Sequence, residues 1–416
     1  MRKNNYIFSL TVIGLLYFVF GFITWLNNLL IPFLQTACDL PDPRLAYLVT
    51  FAFYISYFVM ALPSSYILKR TGFAKGICWG LTVMALGSIL FIPAARTRSY
   101  TLFLTGLFVQ GTGLALLQTA VNPYVTILGP IESAAKRISI MGLFNKIAGI
   151  IGILSLSQVL LNNVNLNEVS LLQGAEKEIY LTNLANRIIT PYIIITIGLL
   201  ALAVMVYAAR LPEIEPEKNA DKDGETKSIF SYPYLWLGIA ALFLYEGAEV
   251  MAIDTLVPYA NSIADVPPAI GNRIGSFSML CFTLGYCLGV AFVPKFISQR
   301  NALIVCACLS LLFSIAAIAF NGVVSLIFII LLSLSNSLMW PGIWPLAIDK
   351  LGRHTQTASA LLIMAIVGGA LIPFIYRALA TALGNDLHMA YVLFLPCYLF
   401  ILYFACRGCT IGKNQN

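Results

Sequence analysis

Charge is scarce in this chain. Asp, Glu, Lys and Arg supply 10% of its 416 residues, where an ordinary soluble domain carries roughly 25%. Histidine is scarcer still, with His354 and His388 the whole complement. So low a charge content excludes a soluble globular enzyme, a disordered protein and a nucleic-acid binder of the usual kind. Neither HExxH nor GxSxG occurs, which leaves an intramembrane enzyme without its machinery. No metal or cofactor is called for. The nine cysteines lie mostly in apolar runs, where they act as small hydrophobes. Cys406 and Cys409 form a CxxC that no second pair completes. No secretory leader is expected, because the apolar run after Arg2 and Lys3 continues to Leu34, too long for a signal-peptide core.

What the chain has instead is apolar length. Hydrophobic residues make up 59% of it, and the mean hydropathy is +0.86. Apolar runs fall at about 7–34, 44–68, 74–93, 100–128, 140–162, 188–209, 233–262, 271–293, 301–319, 323–349, 357–380 and 388–405. Each is bounded by charges, Pro/Gly or short polar stretches, and each is long enough to cross a bilayer as a helix. Membrane strands would be nearer ten residues and would alternate. The expected fold is therefore an all-α membrane protein of twelve transmembrane helices.

Charge sets the expected topology. With both termini cytoplasmic, 17 of the 25 Lys and Arg residues fall on the cytoplasmic side and 7 outside, while Lys146 lies within the fifth run. That asymmetry fits a plasma membrane, such as the bacterial inner membrane, with both ends inside. The longest polar stretch, Arg210 to Ser231, reads as a cytoplasmic linker. It separates an N-terminal six-helix bundle, 1–209, from a C-terminal one, 233–416, with 210–232 between them.

An internal repeat supports that cut. GFITWLNNLLIPF from Gly21 in the first run matches GAEVMAIDTLVPY from Gly247 in the seventh, which sets Asn28 opposite Asp254. QTAVNP from Gln118 in the fourth run matches NSLMWP from Asn336 in the tenth. Two six-helix repeats in parallel order are the signature of a rocking transporter with its site at the midplane.

Polar side chains in hydrocarbon are costly, about 2.5–3.5 kcal/mol for a charge at a helix centre, so they mark the candidate site. The seventh run holds Glu246, Glu249 and Asp254, all candidates for ion coupling, with Glu249 also a candidate for substrate binding. Gly247 and Pro258 predict a weakened helix there. Asn28, Gln118, Asn122, Asn145 and Asn336 offer amide donors and acceptors suited to sugar hydroxyls, or else bonds between helices. Trp25, Trp340 and Trp344 offer flat faces for a sugar ring. Lys146 is placed either to pair with an acid of the seventh run or to reach an interface. A central cavity lined by runs 1, 4, 5, 7, 10 and 11 is expected, with Asn28, Gln118 and Glu249 facing it.

These residues carry a resemblance. The segments WLNNLLIPFL (25–34), LLQTAVNPYVTILGP (116–130), FLYEGAEV (243–250) and LAIDKLGRHT (346–355) resemble the fucose/glucose/galactose permease branch of the major facilitator superfamily. The basic loop KRTGFAK, Lys69 to Lys75, resembles a short loop of the same superfamily, with Lys69 in the place of its usual acid. The resemblance implies twelve helices in two pseudosymmetric six-helix bundles. It also implies import of a monosaccharide, coupled to protons or in some cases sodium, and it implies no cofactor. In the L-fucose permease pattern an aspartate stands where this chain has Asn28 and a glutamate where it has Gln118. The chain is thus more similar to the glucose/galactose or N-acetylglucosamine type. With Asn28 unable to titrate, Asp254, its repeat-mate, or Glu249 is expected to carry any coupling proton. An uncoupled facilitator and a drug or lipid exporter on the same fold are the alternatives, and a monomer in the bilayer is expected.

Overall fold

The computed structural model describes residues 3–41, 45–46, 48–160, 173–209, 228–271 and 274–413. Every regular element among the described residues is helical. Hydrocarbon offers no partner for backbone N–H and C=O groups, and a helix satisfies them within itself. Five helices come first: α1 (Lys3–Ala37), α2 (Leu48–Thr71), α3 (Phe73–Thr97), α4 (Tyr100–Ile127) and α5 (Ala134–Leu160). A shorter α6 (Gly174–Asn186) precedes α7 (Ile189–Ala209). Then follow α8 (Pro233–Asp254), α9 (Leu256–Ser262), α10 (Ile274–Phe292), α11 (Gln299–Ala319), α12 (Gly322–Asn336) and α13 (Met339–Ile348). The last are α14 (Thr355–Met364), α15 (Gly368–Ala382) and α16 (Phe394–Cys406). Eleven segments are long and apolar enough to cross a membrane, and the bent α1 makes twelve.

The repeat is visible as two matching breaks. In α1 the stretches Leu10–Leu26 and Leu29–Ala37 meet at 42°. The seventh span stops at Asp254 and restarts at Leu256. Pro32 and Pro258 each stand four residues after the repeat-mates Asn28 and Asp254. Proline has no N–H, so each leaves the main-chain carbonyl four residues earlier without its helical bond. The fourth and tenth spans match less well. α4 continues through Pro123, while the tenth span breaks between Asn336 and Met339. There Ser335 and Ser337 donate their hydroxyls to Leu332 O at 3.0 Å and Leu334 O at 2.8 Å. Side chains that bond locally offer the backbone an alternative to the helix, which Pro341 makes decisive.

The chain forms two compact units that do not follow its order. One contains Met1–Tyr17, Asn122–Lys146 and Ile214–Asn416; the other contains Phe18–Val121 and Ile147–Glu213. Most of the expected linker, residues 210–227, lies outside the described residues.

In the first unit, α8 crosses α15 with the two backbones in contact. Gly247 sits against Ile372 and the Gly368 carbonyl, and a Cβ on Gly368 would overlap the Phe243 carbonyl. The turn between α4 and α5 is tied by a buried guanidinium. Arg137 donates to the carbonyls of Val125 (2.9 Å), Thr126 (2.7 Å), Gly129 (3.1 Å) and Pro130 (3.1 Å), and to Ser133 Oγ (2.6 Å). The carbonyls of Val125 and Thr126 are among those that the α4 C-terminus leaves open, and those of Gly129 and Pro130 belong to the turn. At the far end of the chain, Lys413 donates to Asp349 Oδ2 at 3.0 Å and lies 4.4 Å from the Tyr234 ring centroid.

In the second unit, α3 and α4 meet along glycines. A Cβ on Gly80 would stand 2.9 Å from the Gly113 carbonyl, the close approach that small residues permit between membrane helices. Gly72, at φ 79°, turns the chain from α2 into α3 within the basic loop. α6 is a helix that the apolar pattern does not announce. It is held by Lys177 to Asp39 at 2.7 Å and by Glu178 to Arg98.

Candidate functional site

The seventh span carries the acids, and the first unit brings a cation to them. On α8, Glu246 and Glu249 are three residues apart and share a face. Glu249 is 7% exposed and Lys146 of α5 is 3% exposed. Lys146 Nζ donates to Glu249 Oε1 at 2.7 Å. The Tyr245 hydroxyl, one turn earlier, donates to Glu249 Oε2, so both carboxylate oxygens are engaged. The ammonium also lies 4.0 Å from the centroid of the Phe282 ring on α10. A desolvated cation–π contact of this kind contributes about 2 kcal/mol. Tyr286, one turn along α10, is buried and packs over Gly142 of α5, where a Cβ would come within 2.5 Å of its ring.

Taking two charges out of water costs several kcal/mol per ion, and their attraction offsets this only when the remaining hydrogen bonds are made. Here they are made, by Tyr245 and by the ring face. Replacing such a pair with apolar groups is often neutral for stability. The pair is therefore not needed merely to hold the bundle together.

The other candidate residues divide as follows. Glu246 is half-buried, and among the described residues its carboxylate makes no hydrogen bond or ion pair. Asp254 is half-buried at the α8 terminus, where Pro258 frees its main-chain carbonyl. Asn145 is half-buried beside Lys146. Asn122 is buried and accepts the Tyr17 hydroxyl on Oδ1, a bond from α1 to α4, while its Nδ2 has no partner among the described residues. Asn336 is 0% exposed and faces the buried Tyr398. Trp340 stacks on the buried Trp344, centroids 5.3 Å apart at 23°. In the second unit, Gln118 is half-buried and donates from Nε2 to the Tyr57 hydroxyl at 3.2 Å. Trp25 is buried over Gly149. The Asn28 side chain lies outside the described residues.

Lys146 takes the first of the two roles its sequence allows. Three contributors were not singled out from sequence: Tyr245, Phe282 and Tyr286. Tyr245 had a signal, standing four residues before Glu249 on the same helical face. The aromatic pair of α10 had none, since aromatics are common throughout the chain.

Twelve apolar spans, paired helix breaks and a buried acid–base cluster inside the apolar bundle define a membrane carrier for a small polar solute. The Major Facilitator Superfamily model matches residues 13–373. The glucose/galactose transporter of Brucella abortus is 34% identical over 415 residues, covering 98% of this chain and 95% of that protein. The L-fucose-proton symporter of Escherichia coli is 29% identical over 416 residues, covering 97% of this chain and 94% of its own. A crystal structure of the transporter FucP in the outward conformation superposes with a TM-score of 0.83 at 27% identity, covering 97% of this chain and 99% of that one. The chain belongs to the major facilitator superfamily, within its fucose/glucose/galactose permease branch, a family of multi-pass membrane transporters and not of enzymes.

Proposed function

We propose that the protein imports a neutral hexose, glucose or galactose or an N-acetylated relative, by alternating access and in symport with protons. The observation that carries the reading is the cluster on α8: titratable carboxylates and a buried lysine at one level of an otherwise apolar bundle. Intramembrane acids of this kind commonly serve ion and proton pathways. The relatives named for glucose/galactose transport and for L-fucose–proton symport support both halves of the reading. Gln118 supplies a paired amide for sugar hydroxyls, where the fucose pattern has an acid. The repeat halves 1–209 and 233–416 are the moving bodies. The carrier acts as a monomer in a bacterial inner membrane with both termini cytoplasmic, as the distribution of Lys and Arg favours.

The test is counterflow in proteoliposomes with a panel of radiolabelled sugars, at two pH values and with or without sodium. Exchange of a hexose, and its accumulation under an imposed proton gradient, is expected. Accumulation driven only by sodium replaces the coupling ion. Exchange without accumulation under either gradient makes the protein a facilitator. Absence of any sugar exchange sinks the substrate class.

A further inference from the structure

We propose that Glu246 carries the coupling proton, and that Lys146 is a shared counter-charge that bridges from Glu249 to Glu246 when the proton leaves. The proposal rests on the reading of the chain as a proton-coupled sugar carrier.

The argument is a count of charges and donors. Both oxygens of Glu249 already accept a bond: Lys146 donates to Oε1 at 2.7 Å and Tyr245 donates to Oε2. A proton arriving at Glu249 would cancel the negative charge that holds the ammonium and strengthens the tyrosine bond. Glu246 lies one turn away on the same face, half-buried, with no bond among the described residues. The titratable and charged groups facing it are Glu249 and Tyr245 of α8, Lys146 of α5 and Tyr286 of α10. Among these Lys146 is the single cation. Two carboxylates and one ammonium are neutral together only when one carboxylate holds a proton. Glu246 is the one with an oxygen free to take it.

The step is a simple protonation. Water on one side of the membrane delivers H⁺ to a Glu246 carboxylate oxygen, an O–H bond forms, and the same bond breaks to release H⁺ on the other side. In the protonated form Lys146 stays with Glu249. In the deprotonated form its three N–H donors serve both acids. Side chains at i and i+3 stand about 5–6 Å apart at Cβ, a gap that a lysine's four-carbon stem spans by rotation. Asp254 has no such partner: among the described residues it makes no hydrogen bond or ion pair, so nothing there would balance its charge once a proton left.

Two measurements test this on the full-length protein in lipid. The first compares gradient-driven accumulation with counterflow for Glu246→Gln, using whichever hexose the wild type exchanges. A split is expected: accumulation falls to the equilibrium level while counterflow, which moves no net proton, stays measurable. Retained accumulation overturns the proposal. If Glu246→Gln loses both activities, Glu246→Asp is the arbiter, since it restores a titratable group. Recovery of accumulation supports the proposal and failure overturns it. The second is infrared difference spectroscopy between acid and alkaline pH. The protonated-carboxyl carbonyl band is shared by all the titrating Asp and Glu residues, and a component of it is expected to be lost in Glu246→Gln and preserved in Asp254→Asn. A band unchanged by Glu246→Gln overturns the assignment. This readout needs no transport, so a wild type that never accumulates sugar sinks the symport reading while the band still decides whether Glu246 holds the proton.

Discussion

Replacing Lys146 with methionine isolates the electrostatics of the cluster. The side chain is 3% exposed, and methionine nearly conserves its volume, so cavity terms are small. What changes is Glu249, which loses its ammonium partner and keeps the Tyr245 hydroxyl. Breaking a buried pair by removing one partner costs about 3–5 kcal/mol if the remaining charge stays. The double variant Lys146→Met/Glu249→Gln removes the stranded charge as well, and replacing a buried pair by uncharged groups of similar volume is often neutral. The assay is fluorescence-detected size-exclusion thermostability. It compares wild type, Lys146→Met and the double variant. The single variant should melt well below wild type, and the double variant should lie near wild type. A single variant as stable as wild type would mean that the pair is not desolvated. A double variant as unstable as the single one would mean that packing, not charge, was lost.

Two further outcomes follow from the geometry. Gln118→Ala should weaken sugar binding by about 1–3 kcal/mol, the cost of leaving a polar partner unpaired, read by ligand binding to the purified carrier; unchanged affinity would assign Gln118 to its bond with Tyr57 alone. Gly368→Ala forces a Cβ into the Phe243 carbonyl and should cost at least about 1–3 kcal/mol, whereas Gly198→Ala, with nothing within 4 Å of its Cβ, should be neutral or gain about 0.5–1 kcal/mol. Equal melting temperatures for the two variants would refute the close crossing of α8 and α15.

The fold was legible because a bilayer imposes one length scale. Runs of about 20 apolar residues are unmistakable, and all twelve expected runs hold a helix or a pair of helices. Where the physics is local, the sequence also served: Pro258 pointed to the break after Asp254. It failed for α6, whose residues Gly174–Asn186 mix charges with scattered apolar groups and depend on Asp39 and Arg98 to be held. It could not foretell that the tenth span breaks ahead of Pro341 while α4 runs on through Pro123. The acids of the site were found because charge in hydrocarbon is rare. The partner of Glu249 was left open, because Lys146 lies 103 residues away in the chain and no spacing rule links them.

The bare contact between Gly368 and the main chain of Phe243 has a mechanical consequence. Side chains between two helices normally act as springs that absorb small displacements by changing rotamer. Here main chain meets main chain, and there is no spring. Glu246 and Glu249 lie one to two turns after Phe243 on α8, so a tilt of α8 that carries the carboxylates by an ångström must carry α15 with it. The span holding the charge and the span behind it behave as one stiff lever, with its fulcrum set beside the ion pair.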